Sequence, residues 1–275
     1  MAAPLAFDQA WLKALRTRAV MQPLRPRVPL WAGESVIGSV EPALLNDKAL
    51  HEMLDVLEPL LQQEQPAELG WRLLGNVTAS LNQLARALYG AGLAGEWRNE
   101  QLAVHDQFDH FKGTVERAAV RPLGIATSAV HLVGQTPDGR HWVQQRSLKK
   151  SNDPGLWDTL MGGMVSAADT VDTALARETW EEAGVKLPDL QNLSYGGRIT
   201  TRRPCADGRG TGYVIEDIAW YRCTVPEGVV PVNQDGEVAQ FALLDREALL
   251  QAMQRNEFTT EAALILAEVL ELQAC

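Results

Sequence analysis

The sequence has few cysteines, no long apolar run and no excess of positive charge, and each of these shortages excludes a class of protein. Its three cysteines, Cys205, Cys223 and Cys275, are too scattered for a disulfide framework or a cysteine-rich metal site. No apolar stretch approaches the roughly 20 residues that cross a bilayer. Residues 1–20 also lack the separate charged, apolar and small-residue zones of a signal peptide. We therefore expect a cytoplasmic protein in a reducing setting, with no membrane partner.

Acidic residues outnumber basic ones by 35 to 25, which gives a net charge of −10 at pH 7. A sequence-independent grip on the phosphates of nucleic acid or anionic lipid needs the opposite balance, so we expect no nucleic-acid partner. The hydrophobic share of 46% and the charged share of 22% are typical of a folded globular protein. An acidic protein that handles anions must recruit positive charge locally, from metal ions or a few well-placed basic side chains.

The pattern of apolar residues changes along the chain and indicates two domains. Residues 1–112 mix helical periodicity with short strand patterns, which predicts a smaller α+β accessory domain. Residues 113–275 alternate strands and turns with helices, which predicts an α/β/α sandwich around a mixed sheet. The predicted fold class of the whole chain is α+β.

The expected elements can be given by domain. The first domain is predicted to hold helices over 6–20, 43–61 and 79–89, a hairpin over 27–40 that turns at Gly33, and strands over 70–74 and 96–105. The second is predicted to hold strands over 125–133, 141–146, 157–165, 212–225 and 238–244, and helices over 170–183, 246–254 and 261–272.

The densest cluster of charge lies at the end of the helix predicted over 170–183. Helical geometry places Glu178 and Glu182 about 40° apart, and Glu181 about 60° from Glu178, so three carboxylates share one sector. Their mutual repulsion and the negative end of the helix dipole both disfavour this arrangement. Divalent cations would neutralise it, and hard carboxylate oxygens suit Mg²⁺ or Mn²⁺. The three glutamates are therefore predicted metal ligands.

Two glycines, Gly162 and Gly163, precede the loop that leads into this helix. Because they lack a side chain, they allow the backbone to approach a metal or a phosphate closely. Taken alone, the glutamates would also fit a solvated helix face, and the glycines a bulge in a strand.

The wider pattern resembles the Nudix box, which runs Gly, five residues, Glu, seven residues, Arg-Glu, an aliphatic residue, one residue, Glu-Glu, one residue, Gly and an aliphatic residue. The matching positions in this chain are Gly163, Asp169, Arg177, Glu178, Glu181, Glu182, Gly184 and Val185. Asp169 is one methylene shorter than the glutamate that orients the arginine of the box, and Thr179 replaces an aliphatic residue. Neither change removes a metal-binding carboxylate.

The resemblance implies a metal-dependent pyrophosphohydrolase, in which water attacks a phosphorus of a small-molecule diphosphate. It implies that Glu178, Glu181 and Glu182 hold Mg²⁺ or Mn²⁺ and that Asp169 orients Arg177. The proton acceptor is not fixed by the motif, and Glu237, in a loop before the last predicted strand, is our choice for it. The predicted catalytic residues are Glu181, Glu237 and Arg177. Because dimers are common among Nudix proteins, a homodimer is a further expectation.

A basic patch follows the strand predicted over 141–146. Arg146, Lys149 and Lys150 precede the segment 153–157, which leads to the glycine pair. We predict that they bind a substrate phosphate together with the backbone of Gly162 and Gly163. For each basic residue taken singly, a surface salt bridge is the alternative.

Residues 145–150, 154–158 and 162–163 look like those of the Nudix proteins related to thiamine pyrophosphokinase, which carry an N-terminal extension of about this size. This implies thiamine diphosphate or a damaged analogue as the substrate. The alternatives are nucleoside diphosphate sugars or dinucleotides, or a non-catalytic module that binds a diphosphate or a nucleotide. An isopentenyl-diphosphate isomerase is disfavoured, because no cysteine precedes Cys205.

The N-terminal domain offers no catalytic constellation of its own. Its histidines, His51, His105 and His110, are isolated in the sequence and predict no ligand set. We expect this domain to cap the site or to help shape the substrate pocket.

Overall fold

Residues 8–54, 60–66 and 69–272 are described by the computed structural model, and they form three β-sheets flanked by helices. The N-terminal elements are α1 (Gln9–Ala19), β1 (Val28–Ala32), β2 (Ser35–Val40), α2 (Pro42–Leu45), α3 (Lys48–Leu54), β3 (Leu61–Gln63), β4 (Trp71–Leu73), α4 (Val77–Gly90), β5 (Gln101–His105) and β6 (Phe111–Glu116). The later elements are β7 (Thr127–Gln135), β8 (His141–Arg146), β9 (Trp157–Asp158), β10 (Met161–Met164), α5 (Val171–Ala183), β11 (Gln191–Cys205), α6 (Asp207–Gly210), β12 (Gly212–Thr224), β13 (Val238–Leu244), α7 (Arg246–Gln254) and α8 (Thr260–Leu272). No helix in these described ranges has the length and apolar character needed to cross a bilayer.

The first sheet has the strand order β2-β1-β4-β3, with β1 parallel to β4. The predicted hairpin is confirmed, and Gly33 takes the left-handed conformation that its turn requires (φ 59°). The prediction of a single helix over 43–61 is wrong. Asn46 ends α2, and the carboxylate of Asp47 accepts a hydrogen bond from the backbone of Ala49 and so caps a new helix, α3. Leu61 begins a strand, and residues 55–59 lie outside the described residues.

Helix α4 begins at Asn76, whose side chain accepts a hydrogen bond from Ala79 N, and it buries a leucine stripe against this sheet. The same apolar core continues past β6 into Leu123 and Ile125 and reaches Met164 on β10. The boundary predicted between residues 112 and 113 therefore falls inside β6, and as a division into domains it stays a prediction.

The largest sheet is mixed, with the path β11-β12-β7-β8-β13, while β10 pairs with β7 and β9 with β8. Side chains of a strand alternate between the two faces, so neighbours in β7 enter different cores. Val130 packs on one face against Leu175 of α5, and Ala129 packs on the other face in the core that α1, α7 and α8 cover. This arrangement confirms the predicted α/β/α sandwich. Strand β11 was not among the predicted elements, and the strand predicted over 157–165 is split into β9 and β10.

Helix α5, which carries the glutamates, has sharply defined ends. Thr170 and Thr173 form a reciprocal capping box at its start, and Gly184 ends it in the left-handed conformation (φ 63°). The predicted helix over 170–183 is confirmed to within one residue. Thr179, the polar departure from the Nudix box, is fully buried, and its hydroxyl donates to Leu175 O over 2.6 Å.

We expect Asp106→Asn to destabilise the protein near neutral pH and to lose that effect in acid. Burial raises the pKa of Asp106, but hydrogen bonds from His110, Lys112 and Phe108 outweigh it and hold the pKa below its usual range. A lowered pKa stabilises the folded state above the unfolded-state pKa, and the stabilisation disappears as the pH falls through the folded-state pKa. Urea unfolding from about pH 7 to about pH 3 should show the difference between the two proteins shrink.

The control for this experiment is Asp109→Asn, in the same turn, where an exposed side chain is exchanged. A gap between wild type and Asp106→Asn that stayed constant over the whole pH range would contradict the prediction.

Candidate active site

Arg177 lies at the centre of the carboxylate cluster on α5. Its Nε and Nη2 donate to Asp169 Oδ2 over 3.0 and 2.8 Å. Its Nη1 donates to Glu178 Oε1 over 2.9 Å and to Glu181 Oε2 over 3.0 Å. Burial lowers the pKa of Arg177, but the effect of these carboxylates is larger and raises the pKa above its usual value. The guanidinium therefore stays charged. The shorter Asp169 therefore still reaches the arginine, and Arg177 fixes the position of two of the three glutamates.

Glu182 is the most buried of the three glutamates, with 1% of its surface exposed. Its Oε2 accepts hydrogen bonds from Gln144 Nε2 over 2.7 Å and from Gly162 N over 2.9 Å. Its Oε1 lies 3.3 Å from Lys150 Nζ. Burial raises the pKa of Glu182, and Lys150 lowers it in part. The predicted metal ligand Glu182 is thus tied directly to the predicted glycine loop.

Glu178 packs against the backbone of the same loop. A Cβ atom on Gly163 would lie 2.0 Å from Glu178 Cδ, so only glycine leaves room for this carboxylate. Burial and the charge of Glu182 together raise the pKa of Glu178 to about 7. Glu182 is therefore a buried carboxylate and Glu178 a largely buried one, with 12% of its side chain exposed, and each feels the other's charge. The side chain of Glu181 is 43% exposed.

The predicted loop acid Glu237 lies at the mouth of this site and forms an ion pair with Lys150. Arg98, from the N-terminal part of the chain, approaches Glu237 within 3.9 Å. Burial raises the pKa of Glu237, but Lys150, Arg117 and Arg98 lower it to below its usual value. Its negative charge is therefore held in place by the surrounding cations.

The predicted basic patch is brought only partly into the site. Lys150 lies between Glu182 and Glu237, and Arg146 pairs with Asp158 over 3.3 Å, so both line the pocket. Lys149 is exposed and is not among the residues that line it. Lys150 N donates a hydrogen bond to Ser147 O, which closes a turn that contains Lys149. The structure therefore does not bring Lys149 to the substrate side.

These residues surround a pocket of about 240 Å³. Part of the pocket lies beyond α5, and its lining residues were not predicted from the sequence. The side chains that complete it are charged or polar and come from separate parts of the chain: Glu100, Arg117, Arg121, His131, Asp158, Arg203, Glu216, Thr259 and Glu261. Arg203 bonds Glu261 over 3.0 Å, and Arg117 bonds Glu100 over 2.7 Å. Arg203 lies on β11, which pairs with β12, the strand of Glu216. Strand β11 was not predicted from the sequence, so this pairing was not predicted either.

The donor set of the pocket fits a divalent cation. Glu178 and Glu182 supply hard oxygen donors, and burial is the main cause that raises the pKa of each carboxylate. Within the described ranges, no three acidic, histidine or cysteine side chains already converge as a metal cage. The ion pairs explain this, because Arg177 holds Glu178 and Glu181 on one side and Lys150 holds Glu182 on the other.

The sandwich, the glycine loop and the carboxylate helix together define the Nudix fold and its site. The sequence model of the NUDIX domain matches residues 125–266, just over half of the chain. The chain belongs to the Nudix family.

Two curated relatives align with about two thirds of this chain, and one of them carries the family name. Nudix hydrolase 20, chloroplastic, of Arabidopsis thaliana is 28% identical over 66% of this chain and 48% of its own length. An uncharacterized protein of Saccharomyces cerevisiae, YJR142W, is 26% identical over 69% of this chain and 60% of its own length. The chain thus spans about half to three fifths of the length of these two relatives. Among solved structures, DR0079 from Deinococcus radiodurans is 22% identical with a TM-score of 0.48, over 60% of this chain and 97% of that one.

Proposed function

We propose that this chain is a metal-dependent hydrolase that cleaves the diphosphate linkage of a small molecule. The observation that carries the proposal is the carboxylate pair of Glu178 and Glu182, which packs against the glycine loop and lines a charged pocket. Taking the carboxylates of Glu178 and Glu182 largely out of water is costly unless positive charge neutralises them. Membership of the Nudix family supports the same reaction class.

Each residue then has a distinct task in the proposed reaction. Glu178 and Glu182 would hold Mg²⁺ or Mn²⁺, which would neutralise phosphate oxygens and acidify a bound water. Glu181 is the exposed third acid of the set. Asp169 orients Arg177, and Arg177 in turn holds the side chains of Glu178 and Glu181 in place through its ion pairs. Preorganisation of this kind lowers the cost of binding a cation.

The basic side chains of the pocket are suited to the substrate phosphates. Lys150 neutralises Glu182 and Glu237 in the structure, and a cation bound at Glu182 would leave the ammonium available to a phosphate. Arg146 is anchored by Asp158, and the amide of Gly162 is already committed to Glu182. Lys149, predicted as a third cation, lies too far out to support this task. The ion pair of Glu237 with Lys150 favours a role in holding that lysine.

For the substrate we propose thiamine diphosphate or a damaged analogue. Support comes from the sequence resemblance of residues 145–150 and 154–158, part of which, including Arg146 and Asp158, lines the pocket. Nucleoside diphosphate sugars and dinucleotides are the alternatives within the same reaction class.

The N-terminal part is proposed to shape the pocket. Glu100 lines it, and Arg98 pairs with the loop acid Glu237. The predictions of a cytoplasmic location and of a homodimer stand beside this proposal, and the scattered cysteines support the first of them.

The proposal is tested with a panel of diphosphates. Wild-type protein with Mg²⁺ or Mn²⁺ is mixed with thiamine diphosphate, its oxidised analogues, nucleoside diphosphate sugars and dinucleotides, and products are identified by mass spectrometry. We expect cleavage of a phosphoanhydride bond that stops when the metal is chelated and resumes when it is restored. Tight binding of a panel member without any turnover would instead favour the non-catalytic binding module.

A further inference from the structure

His131 is a buried polar side chain of the pocket to which the Nudix motif assigns no task. It lies on β7 with 6% of its surface exposed and lines the pocket. Its ring packs on the backbone of Gly162, because a Cβ atom there would lie 2.5 Å from His131 Cε1. Gly162 is the residue whose amide binds Glu182. Gly162 therefore contacts both the imidazole of His131 and the carboxylate of Glu182, which is proposed to hold the cation.

The hydrogen bonds around His131 fix its tautomer. The hydroxyl of Thr159 donates to Met161 O over 2.7 Å, so toward His131 Nδ1, 2.9 Å away, it can only accept. Nδ1 must then carry the proton. Asp158 Oδ1 lies 3.4 Å from the same nitrogen, and the backbone amide of Thr159 holds that oxygen over 2.8 Å.

In the neutral imidazole the other nitrogen, Nε2, is therefore a free acceptor. Among the described residues it has no hydrogen-bond partner, and it is not one of the fully enclosed polar atoms, so the pocket is the space that it reaches. A lone pair of this kind takes a hydrogen-bond donor as its partner. A water molecule about to attack a phosphorus is such a donor.

The carboxylates predicted for proton transfer are less suited to it. Lys150 forms an ion pair with Glu237 and helps to lower the pKa of that carboxylate, and Glu181 is engaged in an ion pair with Arg177. If His131 took a proton, the imidazolium would instead face Asp158 through Nδ1, and that carboxylate would stabilise the new charge.

We infer that His131 is the proton acceptor of the hydrolysis, with Asp158 and Thr159 as the residues that position it; the inference rests on the proposed function. In this step the water oxygen forms a bond to phosphorus, and the proton of the water passes to Nε2. The bridging P–O bond breaks, and its electron pair leaves with the departing phosphate. The proton then returns to solvent or to that phosphate, so the enzyme is unchanged.

The test compares His131→Asn with His131→Gln on the substrate that the panel identifies. The amide nitrogen of asparagine can replace Nδ1 and keep the bond to Thr159, but nothing replaces Nε2. Glutamine places an oxygen near the Nε2 position, where it can orient water but cannot take the proton. We expect kcat to fall at least about 100-fold in both variants, with KM changed less than about threefold.

Thr159→Val tests the positioning role by a readout that folding alone would not move. It removes the acceptor that fixes Nδ1–H, so we expect ¹⁵N NMR of labelled histidine to show a mixed tautomer at His131, together with a fall in kcat of about tenfold. His141→Asn is the matched control, since His141 is also buried in the same sheet but does not line the pocket. Thermal unfolding of all variants shows whether they are folded.

The outcomes separate the inference from the function on which it rests. If a folded His131→Asn protein keeps the wild-type kcat, or if only its KM rises, His131 is not the proton acceptor. If that variant stays active while Glu182→Gln is inactive, the inference fails and the proposed function stands. A wild-type protein that cleaves no diphosphate contradicts both.

Discussion

We expect Glu182→Gln to lower the rate of diphosphate hydrolysis about a thousandfold while the protein stays folded. The substitution removes one negative charge from the pair that is proposed to hold the cation, and a metal contributes several kcal/mol to stabilising the transition state. A glutamine side chain is close in shape to that of glutamate, and its amide oxygen can still accept from Gly162 N and Gln144 Nε2. Lys150 keeps Glu237 as a partner. The fold should therefore lose no more than about 2 kcal/mol of its free energy of unfolding.

Three measurements check this expectation: kcat on the panel substrate, Mn²⁺ binding by calorimetry, and urea unfolding. Asp172→Asn is the control, because Asp172 lies in the first turn of α5 and not in the pocket. We expect Glu182→Gln to lose Mn²⁺ affinity together with activity, and Asp172→Asn to keep both. Wild-type turnover in a folded Glu182→Gln protein would show that the cation, or the reaction, lies elsewhere.

Gly163→Ala removes activity through a steric effect, with an expected fall in kcat of about 100-fold. The added methyl group would lie 2.0 Å from Glu178 Cδ, so this carboxylate must leave its position against the loop. Glu178 also bonds Arg177, so its displacement disturbs the ion pairs that hold Glu181. Forcing a group into a packed site costs about 1–3 kcal/mol, so we also expect a lower free energy of unfolding.

Gly90→Ala is the matched control. A Cβ atom there meets Met53 Sδ at 3.4 Å, an ordinary contact, so activity should be unchanged and stability should change by less than about 1 kcal/mol. The readouts are kcat, Mn²⁺ affinity and urea unfolding. If Gly163→Ala had the kcat and the Mn²⁺ affinity of the wild type, the close approach of Glu178 to the loop would have no functional meaning.

Local chemistry explains which parts of this structure could be predicted from the sequence. The end of helix α5 could be predicted because Gly184 is a local stop signal, and the spacing of its glutamates places them on one face. The hairpin at Gly33 and the strand over 238–244 were predicted for similar reasons, since turn residues and alternation are local properties. The contact of Asp169 with Arg177 was implied by the resemblance to the Nudix box.

Other features depend on residues that are distant in the sequence. Arg203 lies on β11, which pairs with β12 and was not predicted, and Glu216 reaches the pocket from β12, which pairs with β7 and β11. His131 gains its fixed tautomer from Thr159, 28 residues away. Lys149 and Lys150 are neighbours in the sequence with the same charge, but only Lys150 lines the pocket. Sequence spacing carries no information of this kind.

The apolar core that runs from α4 through Leu123 to Met164 links the two halves of the molecule mechanically. Met164 ends the strand that contains Gly162 and Gly163, and its carbonyl accepts a hydrogen bond from Arg177. Loosening of the N-terminal sheet would therefore reach the backbone that seats the carboxylates. A chain cut between residues 112 and 113 would divide β6 and expose this core. We therefore expect a chain without its N-terminal part to lose stability at the strand that holds the glycine pair.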